Sequence, residues 1–262
     1  MNDLRGVYII WYRDILRFWH DKLRMVGAIT LPLLFLVVFG SGLSSRMGLL
    51  GPGIDFTKFI FPGIIGMTVL MTSFMAGVSV VWDREFGFLK EVLVAPISRV
   101  SVVVGKALGA ATVALFQGML ILLFAPLIGV SFSAGTVLVL VPLMLLLAAT
   151  MGSLGILLAT RIRSMEAFQA VMQMLMFPMV FLSGVFFPLE GLPAWMSILV
   201  KINPATYGIA PIRQVVLGDS LDASFSLNVL GHTMSIWDNI TVLATFGLIM
   251  ILLAVWSFGN QE

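Results

Sequence analysis

From Ala107 to Thr160 the chain runs 54 residues without one charged side chain. A hydrocarbon core about 30 Å thick takes about 20 helical residues per crossing, so this run is too long for one crossing and suits two. Its one turn-like stretch near the middle is Gly129 to Gly135, GVSFSAG, where a tight hairpin is expected. The composition agrees: 60% of the 262 residues are hydrophobic and 11% charged, against about one half and one quarter in soluble domains. The chain therefore reads as an integral membrane protein.

Other uncharged runs, Met25–Ser45, Phe59–Trp82, Ala167–Leu189 and Asn239–Gln261, complete the pattern. The expectation is an all-α membrane protein in one domain over residues 1–262, with six spans near 25–45, 59–82, 107–128, 136–160, 167–189 and 239–259. With the amino terminus inside, eleven of the fifteen Lys and Arg fall on inner segments and four on outer ones, the bias that sets orientation. Both termini are then cytoplasmic. Residues 1–24 interleave Arg5, Arg13, Arg17, Lys22 and Arg24 with Trp11, Tyr12, Phe18 and Trp19, the composition of an interfacial helix. No signal-peptide core precedes the first span, which is expected to direct insertion.

Residues 83–99, DREFGFLKEVLVAPISR, form a charged island between apolar runs. On a helix Phe86, Leu89 and Leu93 share one side, with Arg84, Gly87 and Glu91 opposite, as in a helix lying on the membrane surface. Pro96 makes continuation beyond Ala95 improbable. Its polar face mixes Asp83, Arg84, Glu85, Lys90 and Glu91, which suits a protein partner better than anionic lipid or nucleic acid; a solvated loop joining two spans would share the composition. Residues 190–213 are too apolar for an ordinary loop, yet Pro193, Pro204 and Pro211 divide them into pieces too short to span. An external re-entrant hairpin, turning at Asn203 and Pro204 with Tyr207 just beyond, meets both constraints.

Much chemistry is excluded. Cys is absent, so there is no thiolate site, and no His, Asp or Glu cluster has metal-ligand spacing. No phosphate loop occurs: Gly105 and Lys106 are adjacent, but Val100 and Ala107 break the pattern. No ionisable residue is expected within the spans, which disfavours an internal ion relay. No catalytic residue is assigned, and no cofactor is expected on this chain. What remains is a surface for apolar molecules. Met67, Met71, Phe74 and Met75 on the second span, and Phe168, Met172, Met179 and Phe181 on the fifth, offer adaptable thioethers and rings, although ordinary helix packing leaves the same pattern.

FPGI at 61–64, VVWDREFGFLKEVLVAPISR at 80–99, the Gly105–Lys106 pair, LSGVFFPLEGLP at 182–193 and NPATYG at 203–208 resemble the permease subunit of ABC-2 type exporters. The drug-resistance branch, typified by daunorubicin exporters, is most similar. The resemblance covers nearly the whole chain and implies a six-span permease, working as a dimer with two copies of a separate ATPase subunit that carries ATP and Mg. It implies that Asp83, Arg84, Glu85, Phe86, Gly87, Phe88, Lys90 and Glu91 belong to a cytoplasmic coupling helix seated in the ATPase. The second and fifth spans would line the dimer interface and the substrate path. Drug, lipid and polysaccharide exporters share this architecture, so the cargo stays open. A lipid-modifying enzyme built on Glu190, His232 and Asp238, or a scaffold or sensor subunit without transport, are the competing readings.

Overall fold

The computed structural model describes residues 2–44, 56–86, 98–130, 132–162, 164–189, 191–218, 227–229 and 232–259. Among them the elements are α1 (Asn2–His20), α2 (Lys22–Ser44), α3 (Phe56–Phe74), α4 (Ala76–Glu85), α5 (Arg99–Leu122), α6 (Ala134–Arg161), α7 (Met165–Phe181), α8 (Ala194–Ile202), α9 (Pro204–Leu217), a two-residue hairpin of β1 (Asn228–Val229) and β2 (His232–Thr233), and α10 (Ile236–Gly259). Among the described residues, four continuous apolar stretches are long enough to cross a bilayer: 56–85, 99–122, 134–161 and 236–259. Two shorter apolar helical stretches are Met25–Val38 and Met165–Phe181.

Several boundaries differ from the sequence expectation, and serine explains three of them. Ser98, Ser133 and Ser164 accept the backbone N–H three residues on, from Ser101, Thr136 and Ala167, which satisfies an orphan donor of the first turn. α5 thus begins at Arg99 rather than Ala107, and Arg99 and Lys106 are helical. It ends at Leu122, and a 3-10 turn at Ala125–Ile128 leads to Gly129, whose φ of 73° reverses the chain. Gly129 opens the stretch 129–135 in which the sequence suggests a hairpin; residue 131 of it lies outside the described residues. α7 stops at Phe181, so Leu182–Leu189 do not extend the fifth span. Pro211 lies inside α9 instead of ending a helix.

The centre of the bundle is α3, α5 and α6, with α4 continuing α3 after a break at Met75. The break is possible because α4 lies against α6 with no side chain between. A Cβ on Gly77 would come 2.3 Å from the Gly155 carbonyl oxygen, and one on Gly155 would come 2.4 Å from that of Phe74. Lipid offers no hydrophobic drive between helices, so such close packing and interhelical hydrogen bonds carry the association. Thr160 and Ser257 hydroxyls pair at 2.7 Å between α6 and α10, and Trp11 donates to Thr112 at 3.0 Å between α1 and α5. α2 lies on α3, α1 lies across α5, and α9 fills one end among α3, α6 and α10. α7 has its main contact with α4 and stands away from the rest.

Candidate functional site

Two small residues set up the first site. Added Cβ atoms at Gly105 and Gly109 of α5 would meet Ile10 and Asp14 of α1 at 2.9 and 3.1 Å, so these glycines let α1 lie directly on α5. Lys106, between them, is 2% exposed and reaches α4. Ser79 and Asp83 sit one turn apart on α4, and Arg13 and Arg17 one turn apart on α1, so each pair shares a face. The three faces converge on Asp83. Its Oδ2 accepts from Lys106 Nζ at 2.6 Å and Arg13 Nη2 at 2.8 Å, while Arg17 Nη1 lies 3.8 Å from Oδ1. Lys106 also donates to Ser79 Oγ at 2.9 Å, and Arg13 to Asp14 at 2.9 Å. Three cations face two carboxylates, and the interlock ties α1 to α4 and α5. Nearby, Asp3 accepts from the Ser98 N–H at 3.0 Å and the Ser101 hydroxyl at 3.1 Å; the Ser98 bonds are the main cause holding its carboxyl below the usual range.

The expectations for the coupling segment divide here. Asp83 is 5% exposed and turned into the protein, so it is not part of an outward polar face. Asp83, Arg84 and Glu85 form the last turn of α4, not the start of a separate surface helix. Arg84 donates to the Ala159 and Ile162 carbonyls at 3.2 and 3.1 Å, capping the end of α6. Glu85 and Phe86 are exposed, and Phe86 packs on Trp82 with ring centroids 4.8 Å apart. Gly87, Phe88, Lys90 and Glu91 lie outside the described residues. Lys106 also corrects the expectation of spans free of ionisable groups. The available signal was a lone lysine next to an otherwise uncharged run, which needs a buried partner.

The second site is a cavity of about 450 Å³ between α3 and α7, closed on one side by Leu31 and Phe35 of α2. Met67 and Met71 line it from α3, Met75 from the break after α3, and Met172 and Phe181 from α7, five of the eight residues expected on the apolar path. Phe74 and Phe168 do not line it. Both are buried in helix contacts, Phe168 against Gly77. Met179 does not line it either: it is half-buried against the core, and its backbone carbonyl accepts from Asn203 Nδ2 at 2.7 Å. Sequence reasoning missed Met176, Phe177 and Val180 on α7, and Phe186 beyond it, whose ring lies 5.1 Å from that of Phe181 and 5.7 Å from that of Phe35. Such a chamber takes bulky apolar molecules and offers them few polar contacts.

The far end, away from Asp83, is closed by α8 and α9. Asn203 caps α9 by accepting the Ala205 N–H at 3.1 Å, Pro204 opens the helix, and Tyr207 donates to the Lys201 carbonyl at 2.6 Å. α9 is buried from Ala205 to Arg213, whereas α8 exposes Trp195, Ile198 and Ile202. Arg213, counted above among outer-loop cations, is 2% exposed. Its guanidinium lies 4.3 Å from the Phe59 ring centroid and donates to the Gly184 and Val185 carbonyls.

The residues suggested for a lipid-modifying enzyme form no catalytic array. His232 Nε2 is 3.1 Å from Asp238 Oδ2, but both are exposed. Ser235 also bonds that same Asp238 oxygen, at 2.8 Å, instead of the histidine, as a serine capping α10 would. Glu190 lies outside the described residues. No group of three His, Cys, Asp or Glu that could hold a metal occurs among the described residues.

Comparison with known proteins follows the same lines. The chain matches the ABC-2 type transporter family over residues 5–217. It is 30% identical to "Inner membrane transport permease YadH" of Escherichia coli (strain K12) over 216 residues, 80% of this chain and 82% of that one. A permease designated ycf38 from Cyanophora paradoxa is 28% identical over 256 residues, 95% of this chain and 88% of its own. "Probable multidrug ABC transporter permease YbhR" of Escherichia coli (strain K12) is 27% identical over 197 residues, 75% of this chain and 52% of that protein.

Proposed function

The chain belongs to the ABC-2 type transporter family, and from that premise we propose that it is the permease of an ATP-driven exporter for hydrophobic or amphiphilic compounds. It is a multi-pass transport subunit that associates with an ATPase partner. In the reading proposed here, two copies pair, α2 and α7 complete six spans, both termini face the cytoplasm across the inner membrane, and each copy engages one ATPase carrying ATP and Mg. The cavity between α3 and α7 receives drug-like or lipid-like cargo from the cytoplasm or inner leaflet, and closure of the ATPases turns it outward.

One observation supports this most directly. α3 and α4 carry Met67, Met71 and Met75 of the cavity wall at one level and Asp83, Glu85 and Phe86 at the start of the coupling segment at another. A displacement imposed on the segment thereby reaches the cavity along α4 and its junction with α3 at Met75, and the ATPase shifts the equilibrium by binding one permease state more tightly than the other. The test is co-purification with the associating ATPase, followed by hydrolysis assays on the Glu85→Lys complex. Glu85 is exposed, so the variant should insert normally yet lose most of the ATPase stimulation and transport. Full stimulation and transport in Glu85→Lys, or a chain that captures no ATPase, overturns the reading.

A further inference from the structure

The α3–α4 pair and α5 run antiparallel, and their polar contacts form two rungs. Asp83 meets Lys106 at one level; Thr72 meets Gln117, eleven residues further in along each helix. At about 1.5 Å per residue the second rung lies about 16 Å deeper, near the middle of a hydrocarbon core about 30 Å thick. Gln117 is 1% exposed. The Thr72 hydroxyl donates to its Oε1, and among the described residues its Nε2 has no hydrogen-bond partner. An amide donor left open on a cavity wall at that depth is costly, and polar groups kept there are functional candidates.

Gln117 borders a second cavity, of about 250 Å³, walled also by Phe18 of α1, Pro32 of α2, Thr68 of α3 and Val113 of α5. Thr68 is already spent on the Ile64 carbonyl at 2.8 Å, so the free donor is the glutamine. Leu31, Met71 and Met75 border both this cavity and the larger one, so the two adjoin. We propose that Gln117 is a specificity-determining donor for an amphiphile that carries a hydrogen-bond-accepting oxygen. Its carbonyl or ether head sits at Gln117, and its apolar body passes Met71 and Met75 into the larger cavity. The proposal rests on the transport reading for its purpose, but binding requires no ATPase.

The experiment uses the full chain in lipid nanodiscs and two photoreactive probes: palmitic acid methyl ester bearing a mid-chain diazirine, and the hydrocarbon of equal length with the same group. Labelled residues are mapped by mass spectrometry. The ester should label Met71, Met75 and Val113 at least ~5-fold more than the hydrocarbon, the factor one net hydrogen bond provides. Gln117→Met, similar in size without the donor, should abolish that preference, and Gln117→Asn should keep part of it, which guards against a misfolded single variant. Equal labelling by both probes, labelling confined to Met176 and Phe177, or a preference that survives Gln117→Met overturns the proposal. A preference lost in Gln117→Met, in a chain that stimulates no ATPase, supports the binding site and removes the transport reading alone.

Discussion

Asp83 illustrates how a single carboxylate changes meaning once its neighbours are known. In sequence it opens a charged island and groups naturally with Glu85 and Glu91; in three dimensions it neutralises Lys106 and Arg13, both drawn from stretches more than twenty residues away. Nothing local encodes that pairing, because helical periodicity assigns a face and not the neighbour that covers it. Removing one member leaves a buried charge, a loss of about 3 kcal/mol at the lower end for such pairs. Asp83→Asn and Lys106→Met should therefore each lower the thermal midpoint in detergent. Because Arg13 keeps Asp14, the double variant should recover most of the loss; additive losses would show that the two residues do not act as a pair. Arg213 makes a related point. Its planar group stacks on Phe59 while donating to carbonyls, so Arg213→Lys should destabilise the fold measurably despite keeping the charge.

At the level of elements, the charge-free runs placed the long helices approximately, because a run of known length leaves few ways to cross a bilayer, but six spans were expected and four stretches among the described residues are long and apolar enough. Ends were read less well. Charge was used to bound the spans, whereas the capping serines at 98, 133 and 164 set the actual starts of α5, α6 and α7. The break at Met75 was not legible at all: it depends on Gly77 and Gly155, which lie 78 residues apart and carry no motif linking them. Gly155→Ala would force its new methyl group onto the Phe74 carbonyl. The expected outcome is a loss of about 1–3 kcal/mol from overpacking, read as a lower unfolding midpoint, whereas Gly27→Ala, with open space around it, should change little.

Across the whole molecule, burial is graded. Within 56–85 an 18-residue apolar segment is 72% buried and within 236–259 only 22%, so α3 and α4 are the axis and α10 faces outward, as a helix bounded by lipid does. α7 is intermediate: Phe168, Met172, Met176 and Val180 form a buried stripe, Phe177 and Phe181 remain exposed beside the cavity, and Met174 is exposed away from it. If two copies pair along the exposed face of α7, the cavity lies beside their contact. Because the chain has no cysteine, one introduced thiol reports cleanly. Phe177→Cys should cross-link two copies in native membranes under mild oxidation, and Leu252→Cys, equally exposed on α10, should not. Cross-linking only at residue 252 would overturn pairing through α7. Five of the Met and Phe residues singled out by spacing and chemistry line the cavity; the contribution of α2 was not legible, since it depends on how that helix leans on α3.

The Asp83–Lys106 rung also constrains how the polypeptide can be made. A lysine this deep in α5 would hinder partition of that helix by itself, yet its counter-ion is already synthesised when it emerges. α4 and α5 are therefore expected to leave the insertion machinery as a joined pair, and loss of Asp83 should appear first in biogenesis, as slower or shallower entry of α5, before any defect in the finished protein.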